Sequence, residues 1–427
     1  MTQDRVDQED PLHALRAAAA TGAPEALFRL AQALVAAARD AGDAEALYAR
    51  AAEAGHVEAR FQWARMRLYG IAAPADAGAA AQALSRAEAD GHAGAACLLA
   101  TLALAGIALP RDARVHQRLL GAMNAGDPLA LRAAAIHFGR KSHPDDQALC
   151  VQLLETGARA GDAIAAALLA ERLAHGEGVE ANPQAAADLR RQLAAQGVEA
   201  LPACSAAMPV AAPAPPRQLA IEDAMARVPA RTLSSRPRVS VIDGLLSRDE
   251  CRLLMLSAQP FLRPSQALDP DSGRSEAMSL RTSHDASFDP MMEDFALRCV
   301  QLRMARAAGM DLANAEQLIV LRYAPGQEYR PHRDYLPPAT LARDQPQAGN
   351  RARTICVYLN DVEAGGETEF PAAGVSVSPR AGSAVVFDNL RADGSPDPDS
   401  LHAGKPVLRG VKWLATLWLR ERPYRRY

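Results

Sequence analysis

LIVLRYAPGQEYRPHRDY, residues 318–335, decides how the second half of the chain is read. An apolar, β-branched run reaches Tyr323, meets the turn pair Pro325-Gly326, and continues as a short extended segment that carries His332 and Asp334. Side chains two apart on a strand share a side, so the imidazole of His332 and the carboxylate of Asp334 are expected to face one point. A metal there needs a further ligand, and His402 in DSLHAGKPV, residues 399–407, is the candidate. Two histidines and one carboxylate around open positions are the set that binds non-haem Fe(II) while leaving room for an oxidant and a co-substrate. Each histidine taken alone is equally compatible with a packing or surface role.

Ten residues after His402 comes Lys412, in the alternating, strand-like RGVKWLATLWLRER, residues 409–422. Lysine is scarce: positions 141, 405 and 412 are the only three among 47 basic side chains. An ammonium on an otherwise apolar, inward strand requires a partner. That partner is a dicarboxylic acid chelating the metal with its other end, a protein carboxylate, or solvent reached by snorkelling.

Residues 238–419 resemble the prolyl 4-hydroxylase branch of the 2-oxoglutarate- and Fe(II)-dependent dioxygenases. The motifs carrying the likeness are VIDGLLSRDEC (241–251), RTS (281–283), EQLIVLRYAPGQEYRPHRD (316–334), RTICVYLNDVEAGGETEFP (353–371), VSPRAGSAVVFDN (377–389) and SLHAGKPVLRGVKWLATLWLRE (400–421). The resemblance implies His332, Asp334 and His402 as iron ligands and Lys412 as the partner of the C5 carboxylate of 2-oxoglutarate. It implies Tyr323 and Tyr358 as lining residues of the co-substrate pocket, with packing on the neighbouring strand as the alternative for Tyr358. Arg281 is implied as a substrate-side contact, or else a loop-anchoring salt bridge. Gly365, Gly366 and Gly382 are expected in tight turns, Phe370 in the core, and Trp413 and Trp418 as holders of the last strand. The fold implied is a double-stranded β-helix, a jelly roll, with flanking helices near 248–256 and 290–308. The segments 261–283 and 336–350 are expected as loops over its mouth.

The first half repeats. ATGAPEA, EAGHVEA, ADGHAGA, NAGDPLA and RAGDAIA, with the weaker AAQGVEA, place glycines at 22, 55, 91, 126, 161 and 197, 33 to 36 residues apart. That period suits two helices and two turns, the glycine ending one helix in a left-handed conformation and the alanine four later admitting a close neighbour. Neither helix of a pair buries its apolar stripe alone, so the pairs are expected to stack as a solenoid. ERLAHGEGVEANPQAAADLRRQLAAQG, residues 171–197, resembles the Sel1-like branch of the tetratricopeptide-like repeats. The resemblance implies a curved scaffold holding a protein or peptide partner, a purely architectural role being the alternative; Phe61 and Trp63 are read as packing residues. The division expected is therefore a repeat domain over 13–202, a Pro/Ala-rich linker over 203–218 and a dioxygenase domain over 219–427.

The chain has 427 residues with a formal net charge of -3, which gives no reason to expect a nucleic-acid or membrane surface. Six scattered cysteines, an acidic opening MTQDRVDQEDP and the lack of an 18-residue apolar run point to a soluble cytoplasmic protein. The resemblance implies hydroxylation of a prolyl residue, with 2-oxoglutarate and O2 converted to succinate and CO2 and L-ascorbate restoring Fe(II), and the expected compartment makes an intracellular protein or peptide its carrier. Hydroxylation of another amino-acid side chain or a small metabolite is the first alternative, and a non-catalytic interaction scaffold the second.

Overall fold

The computed structural model describes residues 12–206, 215–222, 225–226, 228–268, 275–276 and 280–426. Two compact units emerge, one of residues up to Ala100 with Gln117–Ala125, the other of Thr101–His116 with Gly126–Tyr427.

Eleven helices open the described chain: α1 (His13–Ala19), α2 (Pro24–Ala36), α3 (Ala41–Glu53), α4 (Val57–Tyr69), α5 (Ala77–Ala89), α6 (Ala93–Ala105), α7 (Arg114–Asn124), α8 (Pro128–Gly139), α9 (Pro144–Arg159), α10 (Ala163–His175) and α11 (Pro183–Ala194). All six repeat glycines adopt φ between 78° and 94°, a region costly for other residues. The residue after each of four of them caps the next helix. His56 accepts from the Ala59 N–H and His92 from that of Ala95, while Asp127 and Asp162 do the same at α8 and α10. The alanines four after the glycine, Ala59, Ala95, Ala130 and Ala165, are fully buried. In the first unit His56 stacks on Phe28 and His92 on Phe61, each at 4.5 Å between ring centres, and the Trp63 indole donates to Glu45. Phe61 and Trp63 are thus consumed in joining one repeat to the next.

In the second unit, helices α8 and α10 pack against α13 (Phe295–Ala307) and α12 (Arg248–Ala258). Helix α12 starts with a capping box between Ser247 and Glu250, and Asp294 caps α13. The contact is made by buried ion pairs: Arg132 bridges Asp162 and Asp294, each at 2.5 Å, Arg172 pairs with Asp249, and Arg140 and Arg303 share Glu250. Residues 207–214 of the expected linker lie outside the described residues. On one side of them Ser205 N donates to Asp361 and Arg248 to the Ala206 carbonyl. On the other, Arg217 N donates to Asp146 and Ala220 N to His137 Nε2.

The strands are β1 (Arg231–Ser235), β2 (Arg238–Ile242), β3 (Arg263–Pro264), β4 (Ala267–Leu268), β5 (Ser275–Glu276), β6 (His284–Ser287), β7 (Ile319–Tyr323) and β8 (Tyr329–His332). They continue as β9 (Arg351–Tyr358), β10 (Ala364–Gly365), β11 (Thr368–Phe370), β12 (Val375–Val377), β13 (Ala384–Asp388), β14 (His402–Gly404), β15 (Val407–Arg409) and β16 (Lys412–Arg420). An eight-stranded antiparallel sheet runs β1-β2-β13-β9-β16-β7-β6-β3, and a four-stranded one runs β12-β11-β14-β8. Val239, Leu321, Phe387 and Leu414 from the first meet Phe370 and Val377 from the second in one apolar core, the jelly-roll arrangement. Of the two expected mouth loops, 261–283 carries β3 and the β4–β5 pair, with 269–274 and 277–279 outside the described residues, and 336–350 carries a short helix, Pro338–Leu341.

Candidate active site

His332 ends β8 and His402 begins β14, and the two are directly opposite in the ladder of the smaller sheet. The strand stops at His332, so Asp334 lies two residues past it, yet its carboxylate still reaches the same point. The ligand atoms of His332, Asp334 and His402 lie within 4.8 Å of one another. Asp334 Oδ1 is 3.5 Å from His332 Nε2, and Oδ2 is 3.7 Å from His402 Nε2. His332 Nδ1 lies 2.8 Å from the Arg330 carbonyl and His402 Nδ1 3.0 Å from that of Ser400. A carbonyl only accepts, so each Nδ1 carries the hydrogen and each Nε2 turns a lone pair inward. Tyr329 stacks on His332 at 3.4 Å, and Phe387 lies 4.5 Å from the His402 ring.

Burial acts on Asp334 and on His402. It would raise Asp334, but His402, His332 and Arg351 outweigh it and hold the carboxyl well below its usual range. It lowers His402 to about 4, keeping the imidazole neutral. Thr354 Oγ1 donates to Asp334 Oδ2 at 2.8 Å and accepts from Asn389 Nδ2 at 2.9 Å, which fixes the carboxylate plane. Two imidazoles and one oriented carboxylate suit a divalent iron with open positions.

Lys412, 2% exposed, starts β16 opposite Tyr323 on β7. Its Nζ donates to the Gly366 carbonyl at 2.6 Å and sits 5.4 Å and 5.5 Å from the ring centres of Tyr323 and Tyr358. Among the described residues no carboxylate lies within ion-pair distance of it, and burial pushes the ammonium down to about 8. Gly366 has φ +76°, and a Cβ there would stand 3.2 Å from Lys412 Cδ. The Tyr358 hydroxyl donates to Thr368 at 2.7 Å, so its phenol is held by the protein while its ring faces Lys412. Burial, above all, raises the Tyr323 phenol, which keeps its proton. Cys356, pushed up to about 12 chiefly by burial, stands within electrostatic reach of both Asp334 and Lys412.

A cavity of about 560 Å3 opens onto His332 and Asp334, with Tyr329, Arg351 and Trp418 in its wall. Trp413 is buried, as expected of a strand holder, but Trp418 is half-exposed in this wall with the Arg351 guanidinium 3.7 Å above its ring. Arg351 is gripped by Glu316 through two bonds of 2.7 Å, and Glu316 also pairs with Arg420. Sequence reasoning missed this group; its only advance signal was the polar residue on each apolar strand. Arg281 pairs with Asp285 and lines the cavity, 5.5 Å from the Tyr329 ring.

The profile of the 2OG-Fe(II) oxygenase superfamily matches residues 318–420. Probable prolyl 4-hydroxylase 3 of Arabidopsis thaliana is 36% identical over 212 residues, spanning 45% of this chain and 72% of that protein. The chain belongs to the prolyl 4-hydroxylase family. Another family member, prolyl 4-hydroxylase 1 of the same plant, is 34% identical over 204 residues, 44% of this chain and 71% of its own. The viral collagen prolyl hydroxylase of Paramecium bursaria Chlorella virus-1, solved with 2OG, is 27% identical over 43% of this chain and 95% of its own, with a TM-score of 0.34. A Sel1 repeat protein from Oxalobacter formigenes is similar over 44% of this chain and 55% of its own, at 26% identity and a TM-score of 0.39. Residues 318–420, matched by the 2OG-Fe(II) oxygenase profile, contain the His332, Asp334 and His402 cluster and Lys412.

Proposed function

We propose that this prolyl 4-hydroxylase family member hydroxylates a prolyl residue of a protein or peptide, using Fe(II), 2-oxoglutarate and O2, with L-ascorbate sustaining turnover in the cytoplasm. The observation that carries the reading is a buried lysine, with no carboxylate within ion-pair distance among the described residues, in the same jelly roll as a His, Asp, His cluster. An ammonium so placed is stabilised by an incoming dicarboxylate and by little else.

In this reading His332, Asp334 and His402 hold the iron, and Lys412 binds the far carboxylate of 2-oxoglutarate. Together with O2, the bound iron and co-substrate supply the oxidation that inserts one oxygen atom into a C–H bond, with release of succinate and CO2. The protein's own work is placement. Tyr323 and Tyr358 wall the lysine off from water, Thr354 fixes the Asp334 plane, and the cavity wall of Tyr329 and Trp418 offers aromatic faces to an apolar ring. Arg281 contributes a substrate-side cation already steadied by Asp285. The repeats, as a stacked surface beside the catalytic fold in sequence, are proposed to recruit the protein that carries the proline.

The test is anaerobic titration of Fe(II)-loaded protein with 2-oxoglutarate, followed by the visible charge-transfer band. Saturable absorbance that is weakened in K412A and lost in H332A, D334A and H402A supports the assignment. Folded, iron-loaded protein without such a band overturns it. Mass spectrometry of proline-containing peptides after aerobic turnover then looks for a gain of one oxygen atom.

A further inference from the structure

The cavity above the metal cluster is lined by four arginines, Arg263, Arg281, Arg333 and Arg351, and by only two carboxylates, Asp285 and Asp334. Arg351 is neutralised from behind by Glu316, at 2.7 Å on each of two nitrogens. Arg281 takes the Asp285 carboxylate. Arg263 sits on the edge strand β3 directly across from Asp285 in β6, whose carboxylate is already taken by Arg281. Arg333, which separates the two ligand-bearing positions of the HxD segment, is tethered only through Nε to the neutral Pro398 carbonyl, at 2.9 Å. Among the described residues no carboxylate lies within ion-pair distance of Arg263 or Arg333.

Loading the site does not cancel this surplus. The divalent iron and Lys412 balance Asp334 and the two carboxylates of 2-oxoglutarate, so the excess positive charge stays at the mouth, where the substrate segment lies. Both arginines are exposed, which makes them suited to steering and to contacts with a partner's side chains rather than to structural pairing.

We propose that Arg263 and Arg333 select a protein segment in which acidic side chains flank the residue to be hydroxylated. The inference rests on the prolyl hydroxylase reading and names the kind of segment it acts on. Two exposed ion pairs give a preference of roughly tenfold, and screening shrinks it between about 0.05 and about 0.5 M salt.

The experiment compares three labelled peptides with the same central proline, flanked by Asp/Glu, by Ala or by Lys. Affinity for the full-length protein, loaded anaerobically with Fe(II) and 2-oxoglutarate, is read by fluorescence anisotropy, and product by mass spectrometry after air is admitted. The acidic peptide is expected to bind roughly tenfold tighter than the lysine peptide. The order should invert in R263E/R333E and persist in R263K/R333K, which also covers the case in which charge reversal disturbs folding. Equal affinities with all three peptides hydroxylated overturn the charge selection and leave prolyl hydroxylation standing. Acid-preferring binding without a gain of oxygen on any peptide keeps the charge selection and overturns the prolyl reading. Failure of all three peptides to bind overturns the selection outright.

Discussion

At the scale of single residues, the site is a set of groups whose charge states are fixed by burial. Lys412 is the clearest case. With its free-protein ammonium lowered to about 8, binding a carboxylate there at higher pH requires proton uptake. The affinity for 2-oxoglutarate is expected to fall by up to about tenfold per pH unit above 8, and the fall should flatten in K412R, whose guanidinium stays charged. Calorimetric titration across that range checks it. The apo-protein should respond oppositely. Between about 8 and the unfolded-chain value of about 10.4 the unfolded state holds the extra proton, so this group's contribution to stability rises with pH. Thr354 offers a second test: T354V leaves Asp334 with one unanchored oxygen and Asn389 with an unaccepted N–H. Fe(II) affinity is expected to weaken roughly tenfold, measured by competition with a metal-sensitive dye. The closeness of His332 and Asp334 was legible because they are two residues apart, although the strand ends at His332, and Lys412 drew notice because lysine is rare in this chain. Arg351, Glu316 and Arg420 were not, since ion pairs spanning 35 and 104 residues leave no local pattern.

At the scale of elements, the repeat helices were readable from their punctuation. Gly-His and Gly-Asp steps fix where a helix stops and where the next is capped. The partner of each helix face was not readable, because an arginine on an amphipathic helix looks solvated until its acid is found. Arg172 and Asp249 are both 2% exposed and pair between α10 and α12. R172M should cost about 3 kcal/mol, because Asp249 then keeps only its longer pair with Arg252 at 3.3 Å, whereas R172M/D249L should recover most of that loss. Urea unfolding of the wild type, both single variants and the double variant measures it; additive losses would show that the two groups act independently. A comparable logic holds at Arg132, where one guanidinium serves the caps of both α10 and α13.

At the scale of the whole molecule, the jelly roll and the solenoid were each legible as types, one through the family resemblance of residues 238–419, the other from a period near 35. Where one unit stops was less so. The composition break over 203–218 marks a change of secondary structure, whereas the compact unit holding the catalytic sheets also takes in α8 to α11. Removal of residues 1–202 is therefore expected to strand Asp294, at about 3–5 kcal/mol, and to take Arg172 from Asp249 and Arg140 from Glu250, which keep Arg252 and Arg303. The shortened protein should be insoluble or melt far below the full chain in circular dichroism, while a protein starting near residue 101 should keep the full-length melting of the catalytic unit. The same ion pairs bear on ancestry and on engineering. A jelly roll that carries three acids toward someone else's arginines is not a portable cassette. A graft of its catalytic half onto a new targeting module must either bring α8 and α10 along or replace those acids with apolar residues. Its repeats, for the same reason, are free to diverge only at the end of the array that these acids do not hold.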